Sequence, residues 1–212
     1  MTDASAPRKL RRRPPGQPDT REAILVCAEQ LLQRRGFNGF SYQHIATQLG
    51  LRTAAIHYHF PAKDDLGLAL VRRYRDSFQA WTREQEFVGD PWTRLRAYFG
   101  TYLEHLESDE GRLCPGGVLG AEFGTLSDTM RLEARLLMRE IYAWLVLTLE
   151  EGRRAGVLRY DGDAYDKAVE VGAALQGGLQ IARLAGAARF RQLLGQLELE
   201  LTGRRPESGP MP

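Results

Sequence analysis

Apolar residues recur at spacings of three and four in every long stretch of this 212-residue chain, and Gly or Pro stands between the stretches. This spacing is that of an α-helix, and no stretch sustains the alternation that a strand needs. We expect Ser41 to cap a second helix and Pro61 to lie in the first turn of a fourth. The chain is therefore predicted to be all-α, with roughly nine helices at about 20–35, 42–49, 52–59, 61–83, 91–107, 115–125, 127–155, 163–185 and 188–202.

Composition is that of a soluble globular protein, with 43% hydrophobic and 26% charged residues. No apolar run approaches the ~18 residues that span a bilayer, so we expect no membrane partner. No apolar segment follows the basic N-terminus, which argues against a secretory signal. The two cysteines, Cys27 and Cys114, give no disulfide framework and fit a cytoplasmic location.

The net charge of +2 conceals two unlike parts. Residues 1–63 contain ten Lys or Arg and four Asp or Glu, a charge of +6, whereas the remainder carries 19 basic and 23 acidic residues, a charge of −4. This asymmetry indicates that the N-terminal part meets a polyanion, although a basic tail can also serve solubility.

A helix-turn-helix is the strongest motif. It needs a small residue where two helices cross, a glycine with positive φ in the turn, and an apolar residue that locks the second helix. Ala46, Gly50 and Ile56 meet these needs in order. An ordinary helical hairpin could use the same three residues.

The segments FSYQHIATQLGL (40–51) and AIHYHFPAKDDL (55–66) resemble the DNA-binding domain of TetR/AcrR-type repressors. The resemblance implies a transcriptional regulator, with an N-terminal three-helix DNA-binding domain and a C-terminal helical domain that dimerises and senses a small molecule. The family commonly has Tyr where this chain has His57, so a DNA contact is implied there but not its chemistry. We divide the chain into a disordered basic arm (1–18), a DNA-binding domain (19–63), a ligand-binding and dimerisation domain (64–203) and a disordered tail (204–212).

In such a domain the third helix enters the major groove with its first residues near the bases. We expect Arg52 and Thr53 to contact base edges and Ala54 a thymine methyl. We expect phosphate contacts from Tyr42, Tyr58, His59 and Lys63, and from Thr20 or Arg21 at the start of the first helix. The full predicted DNA-binding set is Thr20, Arg21, Tyr42, Gln43, Arg52, Thr53, Ala54, His57, Tyr58, His59 and Lys63. The run Arg11–Arg13 either reaches an adjacent minor groove or is only a solvated tail.

Small and apolar residues on the helix at 163–185 form a stripe, Ala168, Gly172, Leu175, Leu179 and Ala182. With Phe190, Leu193, Leu194, Leu197 and Leu201 on the next helix, it could build a four-helix bundle between two subunits. The alternative is that both stripes pack within one subunit.

A ligand pocket is expected among the aromatic residues between these helices and the fourth to seventh, because pockets are mostly apolar with few polar groups. The predicted ligand-binding residues are Tyr98, Tyr102, His105, Cys114, Phe123, Met138, Trp144 and Gln176. Many of these aromatic residues could equally be plain core.

Cys114 lies in a run from Leu113 to Asp128 that resembles a stretch of some family members which sense electrophiles or oxidants through a cysteine. Its place before Pro115, at a helix N-terminus and two residues from Arg112, would favour the thiolate. The alternative is a small apolar packing residue, which is what we expect of Cys27. No metal or cofactor is expected, because HExxH, paired cysteines at zinc spacing and a phosphate-binding loop are lacking. We therefore do not expect an enzyme; a helical adaptor that binds protein remains the rival interpretation.

Overall fold

The computed structural model describes residues 19–107 and 112–204. The predicted basic arm and residues 205–212 of the predicted tail lie outside these residues. Within them the chain is helical, with no strand, which confirms the all-α prediction. The helices are α1 (Thr20–Arg35), α2 (Tyr42–Leu49), α3 (Thr53–His59), α4 (Lys63–Gln85), α5 (Pro91–Glu107), α6 (Pro115–Ala121), α7 (Asp128–Arg154), α8 (Ala164–Ala185) and α9 (Ala187–Thr202). None of these helices is long and apolar enough to cross a membrane.

The turn between α2 and α3 forms as the motif predicts. Ser41 precedes α2, and its backbone amide donates to Nδ1 of His44 at 3.1 Å. Gly50 has a φ of 64° in the left-handed region, and the amide of Leu51 donates to the carbonyl of Ala46 at 2.9 Å. Positive φ at this residue redirects the chain, so that α3 crosses α2 and Ile56 becomes fully buried.

Replacing Gly50 with alanine should destabilise the protein by about 1–2 kcal/mol, because an L-residue pays this cost in the left-handed region. Space is not the reason, since a Cβ at Gly50 would meet no atom within 4 Å. The matched control is Gly120→Ala in α6, where a Cβ also meets nothing within 4 Å. It should stabilise by about 0.5–1 kcal/mol. Urea unfolding of both variants measures the difference; equal shifts would contradict the backbone argument.

Two predicted helix boundaries are wrong. Pro61 does not lie in the first turn of α4, which begins at Lys63 after Ala62 has donated its amide to Asp65 Oδ2 at 2.9 Å. The predicted helix at 115–125 ends at Ala121 and continues only as a 3-10 turn over Phe123–Thr125. Glycines at 116, 117 and 120 weaken this short helix.

The helix α4 belongs to both halves of the molecule. One of its faces is ion-paired to α1, where Arg73 reaches Glu22 at 2.6 Å and Glu29 at 3.2 Å. The other is paired to α7, where Arg75 lies 2.5 Å from both Glu133 and Glu140. Burial opposes ionisation of Glu133, but hydrogen bonds from Arg72 and Arg75 outweigh it and hold the pKa of Glu133 below its usual value. Helix α1 is thus fixed to α7 in the C-terminal half through α4.

The stripe predicted to form the dimer is core within one subunit. Ala168, Leu175 and Leu179 are fully buried, and they pack with Phe190 and Leu194 of α9. A Cβ at Gly178 would lie 3.2 Å from the Phe190 ring, so close approach of α8 to α9 requires glycine. The small residues therefore serve packing inside the chain. Another side of α8 is exposed, and it carries apolar residues near both ends of the helix, Tyr165 and Val169 near the start and Ile181 and Leu184 near the end.

Candidate DNA-binding surface and sensor site

Helix α3 presents a free face to solvent. Ile56 anchors it from below, while Arg52 occupies the N-cap position and is exposed together with Ala54. Thr53 begins the helix and is partly exposed, and the Tyr58 side chain is 84% exposed. A tyrosine this exposed on a short helix gains little from folding. The surface is therefore available for another molecule.

Tyr42, predicted to hold a phosphate, has its hydroxyl occupied. This hydroxyl lies 2.8 Å from the carbonyl of Phe60 and 2.6 Å from that of Ala62, and only 9% of the residue is exposed. Burial, and then Asp65 and Asp64, raise the pKa of Tyr42 to about 12, so the hydroxyl keeps its proton. Tyr42 closes the turn from α3 to α4. This geometry argues against the predicted phosphate contact.

Lys63, also predicted to hold a phosphate, points into the turn between α1 and α2. Its ammonium donates to the carbonyl of Phe37 at 2.6 Å and to that of Phe40 at 2.5 Å, and lies 4.6 Å from each ring centroid. Burial lowers the pKa of Lys63, and the charges of Glu122 and Asp64 oppose that effect. Two of its three N–H groups thus serve the fold.

The two histidines of α3 differ in setting. His57 is exposed; its Nδ1 lies 3.2 Å from the carbonyl of Pro61 and its ring packs edge-on to Tyr42 at 4.7 Å. His59 is half-buried, with its ring 5.1 Å from that of Tyr58. The hydrogen bond orients the His57 ring. Its role towards DNA stays a prediction.

The start of α1 lies beside the end of α3. Asp19 accepts from the backbone amide of Arg21 at 3.2 Å, and the Arg21 guanidinium sits 5.0 Å from the Phe60 ring centroid. Thr20 is the first residue of α1, and Gln43 is exposed in the first turn of α2. Predicted contact residues thus lie in the first turns of α1, α2 and α3, and the structure brings the start of α1 next to the end of α3.

A buried polar cluster forms around Cys114. The hydroxyls of Tyr98 and Tyr102, both on α5, are 3.0 Å apart. Nε2 of Gln176 on α8 lies 3.3 Å from the Tyr102 hydroxyl and 3.3 Å from Sγ of Cys114. Cys114 is the N-cap residue of α6 and is half-buried. Four of the eight predicted ligand residues therefore share one site.

The protein does not satisfy every polar atom of this cluster. Burial raises the pKa of Tyr98 and of Tyr102 well above the ordinary value, so both stay protonated at neutral pH. Oε1 of Gln176 is buried without a hydrogen-bond partner among the described residues. A buried acceptor without a donor costs about 1–3 kcal/mol. A ligand or modified group that donates a hydrogen bond would recover this energy.

The other predicted ligand residues are spread around the cluster. Met138 and Phe123 line an apolar cavity of about 260 Å³ between α6 and α7. Trp144 packs against Tyr98 with ring centroids 5.3 Å apart, within a group of four aromatic rings. His105 bonds the carbonyl of Thr101 and lines a separate surface pocket beside Gln33 and Arg73. The structure thus separates His105 from Cys114.

Glu122 is the functional candidate that sequence reasoning missed. Its Oε2 accepts from the backbone amides of Phe37 at 2.7 Å and Asn38 at 3.2 Å, in the turn that follows α1. Thr125 accepts from Asn38 Nδ2 at 2.7 Å. Glu122 is the single charged residue between Pro115 and Thr125, which was the available signal.

The fold and the surface of α3 together define a class: the chain is a helix-turn-helix DNA-binding transcriptional regulator. Residues 24–70 match the bacterial regulatory proteins of the tetR family, and residues 91–194 match the tetracyclin repressor-like C-terminal domain. The chain belongs to the TetR family, whose members are transcriptional regulators.

Individual relatives agree with this assignment. The chain is 28% identical over 154 residues to the HTH-type transcriptional repressor NemR of Escherichia coli, covering 71% of this chain and 77% of NemR. The structure of reduced NemR superposes with a TM-score of 0.76 at 25% identity, over 89% of this chain and 99% of that one. A TetR-family regulator from Agrobacterium tumefaciens has a TM-score of 0.81 at 34% identity, over 86% and 97% of the two chains.

Proposed function

We propose that this protein is a cytoplasmic repressor that binds operator DNA as a homodimer and is released when a small molecule enters the Cys114 cluster or modifies the thiol. The observation that carries the proposal is the position of Cys114. Its Sγ lies 3.3 Å from Nε2 of Gln176. The helix that it caps ends at Glu122, whose carboxylate accepts from the backbone amide of Phe37 in the DNA-binding domain.

For DNA recognition we assign the bases to Arg52, Thr53 and Ala54. Arginine can bond guanine O6 and N7 together, and an exposed alanine can contact a thymine methyl. Phosphates are assigned to Thr20, Arg21, Gln43, Tyr58 and His59, with His57 as a further contact. Lys63 has one N–H left to contact a phosphate. Tyr42 is no longer assigned a phosphate, because its hydroxyl is used within the protein.

Cys114 is the better placed of the two thiols to react. Cys27 is 3% exposed, and burial raises its pKa above the usual thiol value, although Arg34 partly offsets this. A raised pKa leaves little thiolate, which is the reactive form. Cys114 is half-buried beside polar groups. The structure of NemR with which this chain superposes is that of the reduced form, which supports a redox-sensitive thiol as one form of the proposed switch.

The test titrates the protein onto DNA from upstream of its own gene by fluorescence anisotropy, before and after methyl methanethiosulfonate. The Cys114 thiolate attacks the reagent's sulfenyl sulfur, forms a methyl disulfide and expels methanesulfinate. We expect the adduct to weaken operator binding by about tenfold or more. Cys114→Ser should be insensitive, and Cys27→Ser should respond as the wild type does. Operator affinity that survives complete modification of Cys114 would refute the thiol switch and leave a reversible ligand as the effector.

The homodimer is assigned to the exposed side of α8. Leu184 is 93% exposed and Ile181 is 58% exposed near the end of the helix, and Tyr165 and Val169 are exposed near its start. Exposed apolar residues grouped on one side of a helix are expected to meet a partner surface. An α8 that packs against the same helix of a second copy would bury them in a four-helix arrangement with α9.

Replacing Leu184 with glutamate should turn the dimer into a monomer in sedimentation experiments at micromolar concentration and abolish operator binding. The folded subunit should keep its stability to within about 0.5 kcal/mol, because the residue is a surface one. Leu132→Glu is the matched control, because Leu132 is 58% exposed but lies on α7, away from the exposed side of α8. This variant should remain dimeric. A dimeric Leu184→Glu protein would place the interface elsewhere.

A further inference from the structure

Helix α6 joins the thiol cluster to the DNA-binding domain by its two ends. Cys114 is its N-cap residue and Glu122 its C-cap residue. Seven residues at a rise of about 1.5 Å make α6 roughly 10 Å long between these ends. A displacement at one end is therefore carried to the other, provided that both ends are held.

The Glu122 end of α6 is held by hydrogen bonds from two backbone amides to the Glu122 carboxylate. Phe37 and Asn38 follow the last turn of α1, and they donate to Glu122 Oε2 at 2.7 and 3.2 Å. The preceding residue is Gly36, with a φ of 78°, and a Cβ there would overlap Oε1 of Glu122. Only glycine therefore leaves room for the carboxylate. The turn and Glu122 are matched to each other.

The Cys114 end is tightly packed on the side of Gln176. A Cβ at Gly117 would lie 2.6 Å from Oε1 of Gln176, whereas one at Gly116 would meet Sδ of Met138 and Sγ of Cys114 only at ordinary contact distances, 3.5 and 3.9 Å. A group added to Sγ on the side of Gln176 must therefore move either Gln176 or the first turn of α6.

The helix between these ends has little stability of its own. Three of its seven residues are glycines, each costing about 1 kcal/mol relative to alanine in a helix. Isolated helices of this length do not form in water. Its position is set by the contacts at its ends and along α7, so a change of the contacts at Cys114 moves α6 with little resistance from the helix itself.

We infer that Glu122 is the positioning residue through which the Cys114 cluster acts on the DNA-binding domain. Modification of Cys114 shifts α6, withdraws the Glu122 carboxylate from the amides of Phe37 and Asn38, and loosens the turn between α1 and α2, which then keeps its contacts with Lys63. This path runs directly to the helix-turn-helix and does not pass through α4. It rests on the proposed function, and it names the residue that couples the two domains.

Hydrogen exchange of the full-length protein tests the inference without DNA. Methyl methanethiosulfonate on the wild type should speed exchange at the amides of Phe37 and Asn38 by about tenfold or more, as Glu122→Ala should without reagent. In Glu122→Ala the reagent should add no further change there. Unchanged exchange at these two amides after complete modification of Cys114 would overturn the inference.

Operator affinity then separates the coupling residue from the proposed function. In Glu122→Ala the affinity ratio between unmodified and modified protein should fall to less than about threefold, against tenfold or more in the wild type. Glu84→Gln, at an exposed position near the end of α4, is the control and should keep the wild-type ratio. Loosened amides with unchanged operator affinity in the modified wild type would retain the α6 path and refute thiol-controlled repression. A Glu122→Ala protein that keeps the full wild-type ratio would overturn the coupling role.

Discussion

Replacing Arg52 with alanine should weaken operator binding by about 30-fold to 10⁴-fold. A bidentate pair between arginine and guanine discriminates by about 1–3 kcal/mol, and the proposed dimer presents Arg52 to two half-sites. Arg52 is exposed at the N-cap position of α3. Its removal should not disturb the fold. Fluorescence anisotropy with operator and random duplexes at one fixed salt concentration measures the effect.

The comparison between the two duplexes identifies the kind of contact. If Arg52 reads a base, binding to the random duplex should change little, because that binding comes from the phosphates. Arg139→Ala, at an exposed site on α7, should leave both affinities unchanged. Equal losses on both duplexes would reassign Arg52 to the phosphate backbone, and no loss on either would remove it from the interface.

Replacing Lys63 with methionine should lower the free energy of unfolding by about 2–4 kcal/mol. Each of the two lost hydrogen bonds from a charged group contributes about 1.5–3 kcal/mol, and relief from burying the ammonium offsets part of the loss. The substitution keeps the apolar stem but leaves the carbonyls of Phe37 and Phe40 without their donor. It also removes the cation from two aromatic rings. Urea unfolding followed by circular dichroism measures the loss.

Lys167→Met supplies the matched control, because the same atoms are exchanged at another site. Among the described residues, the Lys167 ammonium pairs with Glu170, 2.6 Å away and three residues further along α8. Pairs three residues apart on a helix contribute about 0.5 kcal/mol or less. If Lys63→Met is no less stable than Lys167→Met, the ammonium is not a structural group. If the salt dependence of DNA binding by Lys63→Met is also smaller by about one ion per subunit, Lys63 would be assigned to a DNA phosphate.

The helix-turn-helix could be predicted from sequence because its determinants are local. Ala46, Gly50 and Ile56 act within eleven residues, and the left-handed conformation at Gly50 depends only on its lack of a side chain. Helix ends were harder where tertiary contacts decide them. Phe60 and Ala62, on either side of Pro61, have extended backbones, and Tyr42 holds the carbonyls of both.

Roles that depend on distant contacts could not be assigned from the pattern. Tyr42 and Lys63 carry groups that suit a phosphate, and only the folded turns show that protein carbonyls already use them. The stripe with Ala168 and Leu175 has the composition of a helix interface. Sequence does not tell whether the second helix belongs to the same subunit, and here it does.

The sensor site was predicted in part. Tyr98, Tyr102, Cys114 and Gln176 were chosen as polar groups in apolar surroundings, and they meet in space. His105 was chosen for the same reason but lies about one turn further along α5, where it points into another pocket. A side chain one helical turn further along has different neighbours, and the amino-acid sequence of the helix does not reveal which ones.

The aromatic group beside the Cys114 cluster gives the protein an optical probe of its own. Trp81 and Trp144 have ring centroids 5.1 Å apart, and both contact Tyr98, whose hydroxyl belongs to the cluster. A molecule that enters the cluster must therefore alter the surroundings of two of the three indoles in the chain. Quenching or a spectral shift of intrinsic emission can thus screen unlabelled compounds for the effector without any knowledge of the operator.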